Sequence, residues 1–147
     1  MRINLVTNVL DSNTAIAEQN KRFFAEKGIV VINIMSAPGA GKTTILEKTI
    51  EALKDKLKIG VIEGDICTTK DAERIAALKV PVVQINTDGA CHLDANMIMR
   101  ALESLPLDEI ELLIIENLGN LVCPAEFYLG EDLKVMVASV TEGNDKP

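Results

Sequence analysis

The stretch Ile29-Val30-Val31-Ile32-Asn33-Ile34-Met35-Ser36-Ala37-Pro38-Gly39-Ala40-Gly41-Lys42-Thr43-Thr44 decides the fold. Its first half is apolar apart from Asn33 and ends in a Pro/Gly-rich turn, which reads as a buried strand over 29–35. Its second half, Ser36 to Thr43, matches the strand–GxxxxGK[ST]–helix pattern of a phosphate-binding loop, with Ser36 in place of the first glycine. Gly39 and Gly41 let backbone amides curl around phosphate oxygens. Lys42 neutralises β/γ-phosphate charge, and Thr43 offers its hydroxyl to Mg2+. The helix that follows presents free N–H groups and a positive dipole end to an anion. Candidate nucleotide contacts are therefore Pro38, Gly39, Ala40, Gly41, Lys42, Thr43 and Thr44. If the first position requires a positive φ, Ser36 costs on the order of 1 kcal/mol there.

Outward from that loop, helix and strand alternate. Helices are expected over about 12–27, 42–57, 70–79 and 93–105, and strands over 58–63, 81–85, 111–116 and 135–140. Ser12 or Asn13 caps the leading helix and Gly28 stops it. The alternation implies an α/β fold of the phosphate-loop NTPase type, a mainly parallel sheet flanked by helices. Loops at one sheet edge would carry the function. Residues 1–147 read as a single nucleotide-binding domain in which 1–28 is a leading helical segment.

Composition narrows the classes. A net charge of −7 argues against a surface that collects nucleic-acid phosphates or anionic lipid. Three widely spaced cysteines make no disulfide framework, and no apolar run resembles a signal peptide or membrane span, which points to a cytoplasmic setting.

Carboxylates fall where a nucleotide needs them. Glu63-Gly64-Asp65 closes the second strand, and Asp71 opens the next helix after a polar run. Asp65 is the candidate to hold Mg2+. Asp71 either shares that task or positions the attacking water, the plainer reading of each being a helix cap or a solvated loop acid. The apolar run Leu112–Ile115 ends in Glu116, which polarises a Mg2+-bound water, and the Gly119 amide is placed to touch a γ-phosphate. The implied chemistry is charge neutralisation and water orientation by Lys42, Asp65, Asp71 and Glu116, without a nucleophilic side chain.

His92 is the sole histidine and follows Cys91, while Cys123 precedes Pro124 in another loop at the same expected edge. Thiolate and imidazole suit Zn2+ or Ni2+, with a fourth ligand from water or a second subunit. The alternative is ordinary buried cysteine, since the spacing matches no zinc-finger pattern. Cys67 reads as a packing residue.

The segments SAPGAGKTT, EGDICTTKDAERI, DGACHLDA, ENLGNLVCPAEFYLG and TEGNDKP together resemble the hydrogenase nickel-incorporation GTPases, the HypB family, from about Asn13 onward. The resemblance implies a GTPase that uses GTP and Mg2+, and carries family metal-ligand roles for Zn2+ or Ni2+ onto Cys91, His92 and Cys123. It further implies a homodimer with metal at the subunit contact, and partners in a hydrogenase accessory protein and the large subunit of a [NiFe] hydrogenase. The chain begins MRINLVTNVL without the Cys- or His-rich extension of some members, so high-affinity nickel storage there is not expected. The family's guanine-reading Asn-Lys-x-Asp lies beyond the TEG segment, and the sequence stops at Pro147 before it, so a C-terminally truncated chain is expected and guanine-over-adenine selectivity is open. Two competing readings are a metal-binding module with decayed nucleotide binding, and a different phosphate-loop ATPase or kinase.

Overall fold

A computed structural model describes residues 5–37, 41–65 and 70–138, without the side chains of residues 5–7, Lys70 and Asp71. Pro38, Gly39, Ala40, Cys67 and the TEG segment lie outside the described residues. In chain order the elements are α1 (Leu5–Lys27), β1 (Val30–Ser36), α2 (Lys42–Leu53), β2 (Ile59–Asp65), α3 (Lys70–Ala76) and β3 (Val82–Asn86). They continue with α4 (Ala95–Ala101), two 3-10 turns (Leu102–Ser104 and Leu107–Glu109), β4 (Leu112–Gly119), α5 (Cys123–Glu126) and β5 (Leu133–Val137).

The strands form one parallel sheet in the order β3-β2-β4-β1-β5. β1 and β4 are apolar at most positions, and both of their faces are covered, as in parallel strands. On one face, Val31, Ile62, Leu113 and Ile115 pack with Phe24 of α1, Ile98 of α4, Leu93 and Leu129. On the other, Ile34, Ile59, Val61 and Ile114 pack with Leu46 and Ile50 of α2 and Ile75 of α3. The expected α/β architecture is therefore present, with its helices in two layers.

The leading helix departs from expectation at its start. α1 already runs from Leu5, so Ser12 and Asn13 lie inside it and neither caps it. Asn13 is buried and works across the fold instead: its amide nitrogen donates to the Tyr128 carbonyl at 2.7 Å, and its Oδ1 accepts from the Ala95 N–H at 2.7 Å. Two turns on, the Asn20 amide donates to the carbonyls of Ala95 and Leu129. The polar face that resembles a cap is thus a set of ties holding α1 to the start of α4 and to the segment before β5. The helix does stop at Gly28, whose φ is 71°. There the Gly28 and Ile29 amides donate back to Ala25 and Phe24 at 3.2 and 2.9 Å, the paired reversal of a Schellman end.

Other boundaries move by a few residues. The helix expected over 93–105 is helical only for Ala95–Ala101, because Asp94 caps it through the Met97 N–H and the chain then tightens into 3-10 geometry before Pro106. α2 and α3 each end short of expectation, at Leu53 and Ala76. β2 continues through Asp65, and β5 begins at Leu133; residues 139 and 140 of the expected last strand lie outside the described part.

Candidate nucleotide and metal site

β1 ends at Ser36, which is buried and paired with both Gly119 and Val137. Ser36 is in the strand and carries no positive φ, so the strain expected of a serine there does not arise. Among the described residues of the loop, Gly41 is left-handed, with φ 87°, immediately before α2. A side chain at that φ is disfavoured, which is the physical need for glycine next to the lysine.

β4 then brings acid to this loop. Along β1 the register runs from Ile34 opposite Glu116 to Ser36 opposite Gly119, so β4 carries one extra residue, a bulge, at its functional end. Glu116 is fully buried; its Oε1 accepts from the Thr43 hydroxyl at 2.7 Å and lies 3.2 Å from the Lys42 ammonium. Lys42 also donates to the Asn117 carbonyl at 2.6 Å. The other oxygen of Glu116 is buried and has no hydrogen-bond partner among the described residues. An orphaned carboxylate oxygen beside a threonine hydroxyl is a fitting place for a hard divalent cation such as Mg2+.

Glu63 sits opposite Glu116 in the parallel register of β2 and β4 and is likewise buried. Side chains alternate along a strand, so Asp65, two residues on, shares the face of Glu63 at the same sheet edge. Asp71 lies in the first turn of α3, with its side chain outside the described part. Gly119 is exposed at the end of β4. Backbone placement thus brings Gly41, Lys42, Thr43, Asp65, Glu116 and Gly119 to one edge.

Cys91, His92 and Cys123 converge close by. One ligand atom from each lies within 4.8 Å of the others, and the Cys91 sulfur is 3.7 Å from His92 Nδ1. Cys91 and His92 come from the β3–α4 loop, and Cys123 opens α5. Hydrogen bonding to the Cys123 sulfur, reinforced by burial, raises the Cys91 thiol above its ordinary pKa. The two sulfurs and one imidazole suit Zn2+ or Ni2+ in chemistry and spacing, with one tetrahedral position left for another donor.

Three supporting residues escaped the sequence reading. Asn120 donates to the Cys91 carbonyl at 3.4 Å, and its Oδ1 accepts from the Val122 and Cys123 amides at 2.8 and 3.3 Å. It therefore ties together both arms of the trio. Phe127 stacks on the His92 ring with centroids 3.8 Å apart. Asn117, fully buried, accepts from the Leu93 and Leu118 amides and donates to Asn33 Oδ1 at 3.1 Å. Asn33 in turn reaches Glu131. The interrupted apolar run at Asn33 is the sequence signal for this buried network, though nothing local names its partners.

Residues 30–141 match the CobW/HypB/UreG nucleotide-binding domain family. The chain is 54% identical over 140 residues to the hydrogenase maturation factor HypB of Escherichia coli K12, a match covering 95% of this chain and 48% of that protein. It is 46% identical over 143 residues to a probable HypB of Methanocaldococcus jannaschii, covering 97% of this chain and 65% of that one. Among solved structures, HypB from Helicobacter pylori in complex with nickel superposes with a TM-score of 0.86 at 43% identity, over 92% of this chain and 64% of that chain. HypB from Archaeoglobus fulgidus does so with a TM-score of 0.83, also at 43% identity, over 92% and 66%. The chain spans about half the length of the E. coli relative. Among the described residues no helix is long and apolar enough to cross a membrane.

Proposed function

The chain belongs to the CobW/HypB/UreG nucleotide-binding domain family, and from that membership we propose that it is a GTP-hydrolysing metallochaperone domain serving nickel insertion into a [NiFe] hydrogenase. The observation that carries the reading is the meeting of two chemistries on one short stretch of chain. Asn117 holds the phosphate-loop lysine through its carbonyl, and Asn120, three residues on, braces Cys91 and Cys123.

At the nucleotide side, Lys42 exchanges its contacts with Glu116 and the Asn117 carbonyl for β/γ-phosphate oxygens, while the first-turn amides of α2 receive the remaining charge. Thr43 and Glu116, with Asp65, would hold Mg2+, which when bound supplies charge neutralisation across the phosphates. Asp71 orients the attacking water, and the Gly119 amide meets the γ-phosphate. The guanine base is assigned from family likeness, which leaves ATP as the competing substrate to be tested.

At the metal side, Cys91, His92 and Cys123 take Ni2+ as cargo, or Zn2+, and a second copy of the chain supplies the remaining ligand at a dimer contact. The proposed partners are a hydrogenase accessory protein and the hydrogenase large subunit, in the cytoplasm. Calorimetric titration with GTP and ATP in the presence of Mg2+, together with an assay of phosphate release, tests the nucleotide half. GTP heat that disappears in Lys42→Ala, with phosphate released to water, supports it. Preference for ATP, transfer to an acceptor other than water, or metal binding by a parent chain that gives no nucleotide heat would overturn it.

A further inference from the structure

Resting on that reading, we infer that Arg74 is a nucleotide-binding residue, its guanidinium engaging the phosphate chain beside Thr44. Arg74 stands on α3, and its guanidinium donates to the Thr44 hydroxyl at 3.4 Å while pairing with Glu47 on α2. Thr44 is the third residue of α2, so its N–H belongs to the first turn and has no intrahelical acceptor. An anion seated at that helix end meets the Thr44 amide, and the guanidinium already touching the same residue lies within a side chain's reach of it. The Arg74 side chain is 45% exposed, so it can turn toward a ligand without leaving a buried cavity.

Charge balance supplies the second argument. Lys42 is already matched with the buried Glu116 at this edge. A nucleoside triphosphate brings several further negative charges, and a divalent cation together with Lys42 does not offset them all. A guanidinium is permanently charged and presents a planar fork of donors suited to phosphate oxygens. Glu47 pairs with it on α2, and its engagement by phosphate requires no proton transfer.

The competing role is a purely structural tie between α2 and α3, and one set of variants separates the two. The full chain is titrated with GDP and with a non-hydrolysable GTP analogue, both with Mg2+, for the parent, Arg74→Ala, Arg74→Lys, Glu47→Gln and Lys42→Ala, after circular dichroism confirms that each is folded. Arg74→Ala is expected to weaken both nucleotides about tenfold, as for the loss of one charge-assisted contact, and Arg74→Lys by less. Glu47→Gln, which removes the ion pair with α2 but leaves the guanidinium and its Thr44 contact, stays within about twofold of the parent. Parent-like affinity in Arg74→Ala overturns this assignment alone, as does a loss in Glu47→Gln as large as that in Arg74→Ala. A parent chain that gives no nucleotide heat overturns the nucleotide reading and this inference with it.

Discussion

The Lys42 ammonium lies 2.6 Å from the carbonyl oxygen of Asn117, on the same peptide run whose preceding side chain, Glu116, pairs with it at 3.2 Å. The phosphate-loop lysine is thus fastened to the central strand. Lys42→Met strands a fully buried carboxylate, and a cost of about 3 kcal/mol or more in urea unfolding is expected. Adding Glu116→Gln removes the stranded charge and restores most of that stability, yet nucleotide affinity stays absent. A single variant as stable as the parent would show that the pair carries little weight in the folded chain.

Asn120 touches no metal-ligand atom, yet it holds the backbone on both sides of the trio. Asn120→Ala should weaken Zn2+ or Ni2+ binding about tenfold, the usual scale for losing a support behind a ligand, with all three ligands still present. Competition against a chromophoric chelator measures this; an affinity equal to the parent's would mean that the loop holds its shape without Asn120.

Gly130 has φ 95°, and a Cβ built on it would stand 2.6 Å from the carbonyl oxygen of Ala17 in α1. Gly130→Ala combines a disfavoured backbone with a backbone clash, so a loss of more than about 1 kcal/mol is expected. For a chain of this size that lowers Tm by roughly 2–4 °C per kcal/mol. Because α1 packs on the sheet face away from α2, nucleotide affinity at 25 °C should move little, and a large change there would link the two faces more tightly than the packing implies.

Asn13→Ala leaves the Ala95 amide and the Tyr128 carbonyl without their partner. The expected signature is faster hydrogen exchange at Ala95 and a loss of about 1–3 kcal/mol. Since Ala95 starts α4 three residues after His92, looser metal binding should accompany it. Unchanged exchange at that amide would place the stability of the turn elsewhere.

The sequence made the sheet legible because Val31 to Met35 and Leu112 to Ile115 are apolar without a break long enough to suggest anything but buried strands. It also pointed to Lys42, Thr43 and Glu116 as neighbours, since a lysine and threonine after a phosphate-loop turn and an acid at the next strand end fall at one sheet edge. The structure brings Lys42, Thr43 and Glu116 into contact and gathers Cys91, His92 and Cys123. Asn13 was misread because a helix cap and a buried tertiary tie call for the same short polar side chain. Only knowledge of what lies opposite, here Tyr128 and Ala95, separates them. Asn117 and Asn120 were missed for a related reason: each also reaches a backbone group 24 or 29 residues away, the Leu93 N–H and the Cys91 carbonyl, to which local periodicity is blind.

The alternation along β4 limits how this stretch can vary. Glu116 looks toward α2 and its lysine, and Asn117 looks to the opposite layer, toward Leu93 and Asn33. Neighbours in sequence therefore serve opposite sides of the sheet. Deleting or inserting one residue before Glu116 within 112–119 would exchange those sides, sending the acid toward the α1–α4 layer and the amide toward the phosphates. Such an indel disables both chemistries in one event, whereas a point substitution can remove either alone; length, more than composition, is what this strand cannot change.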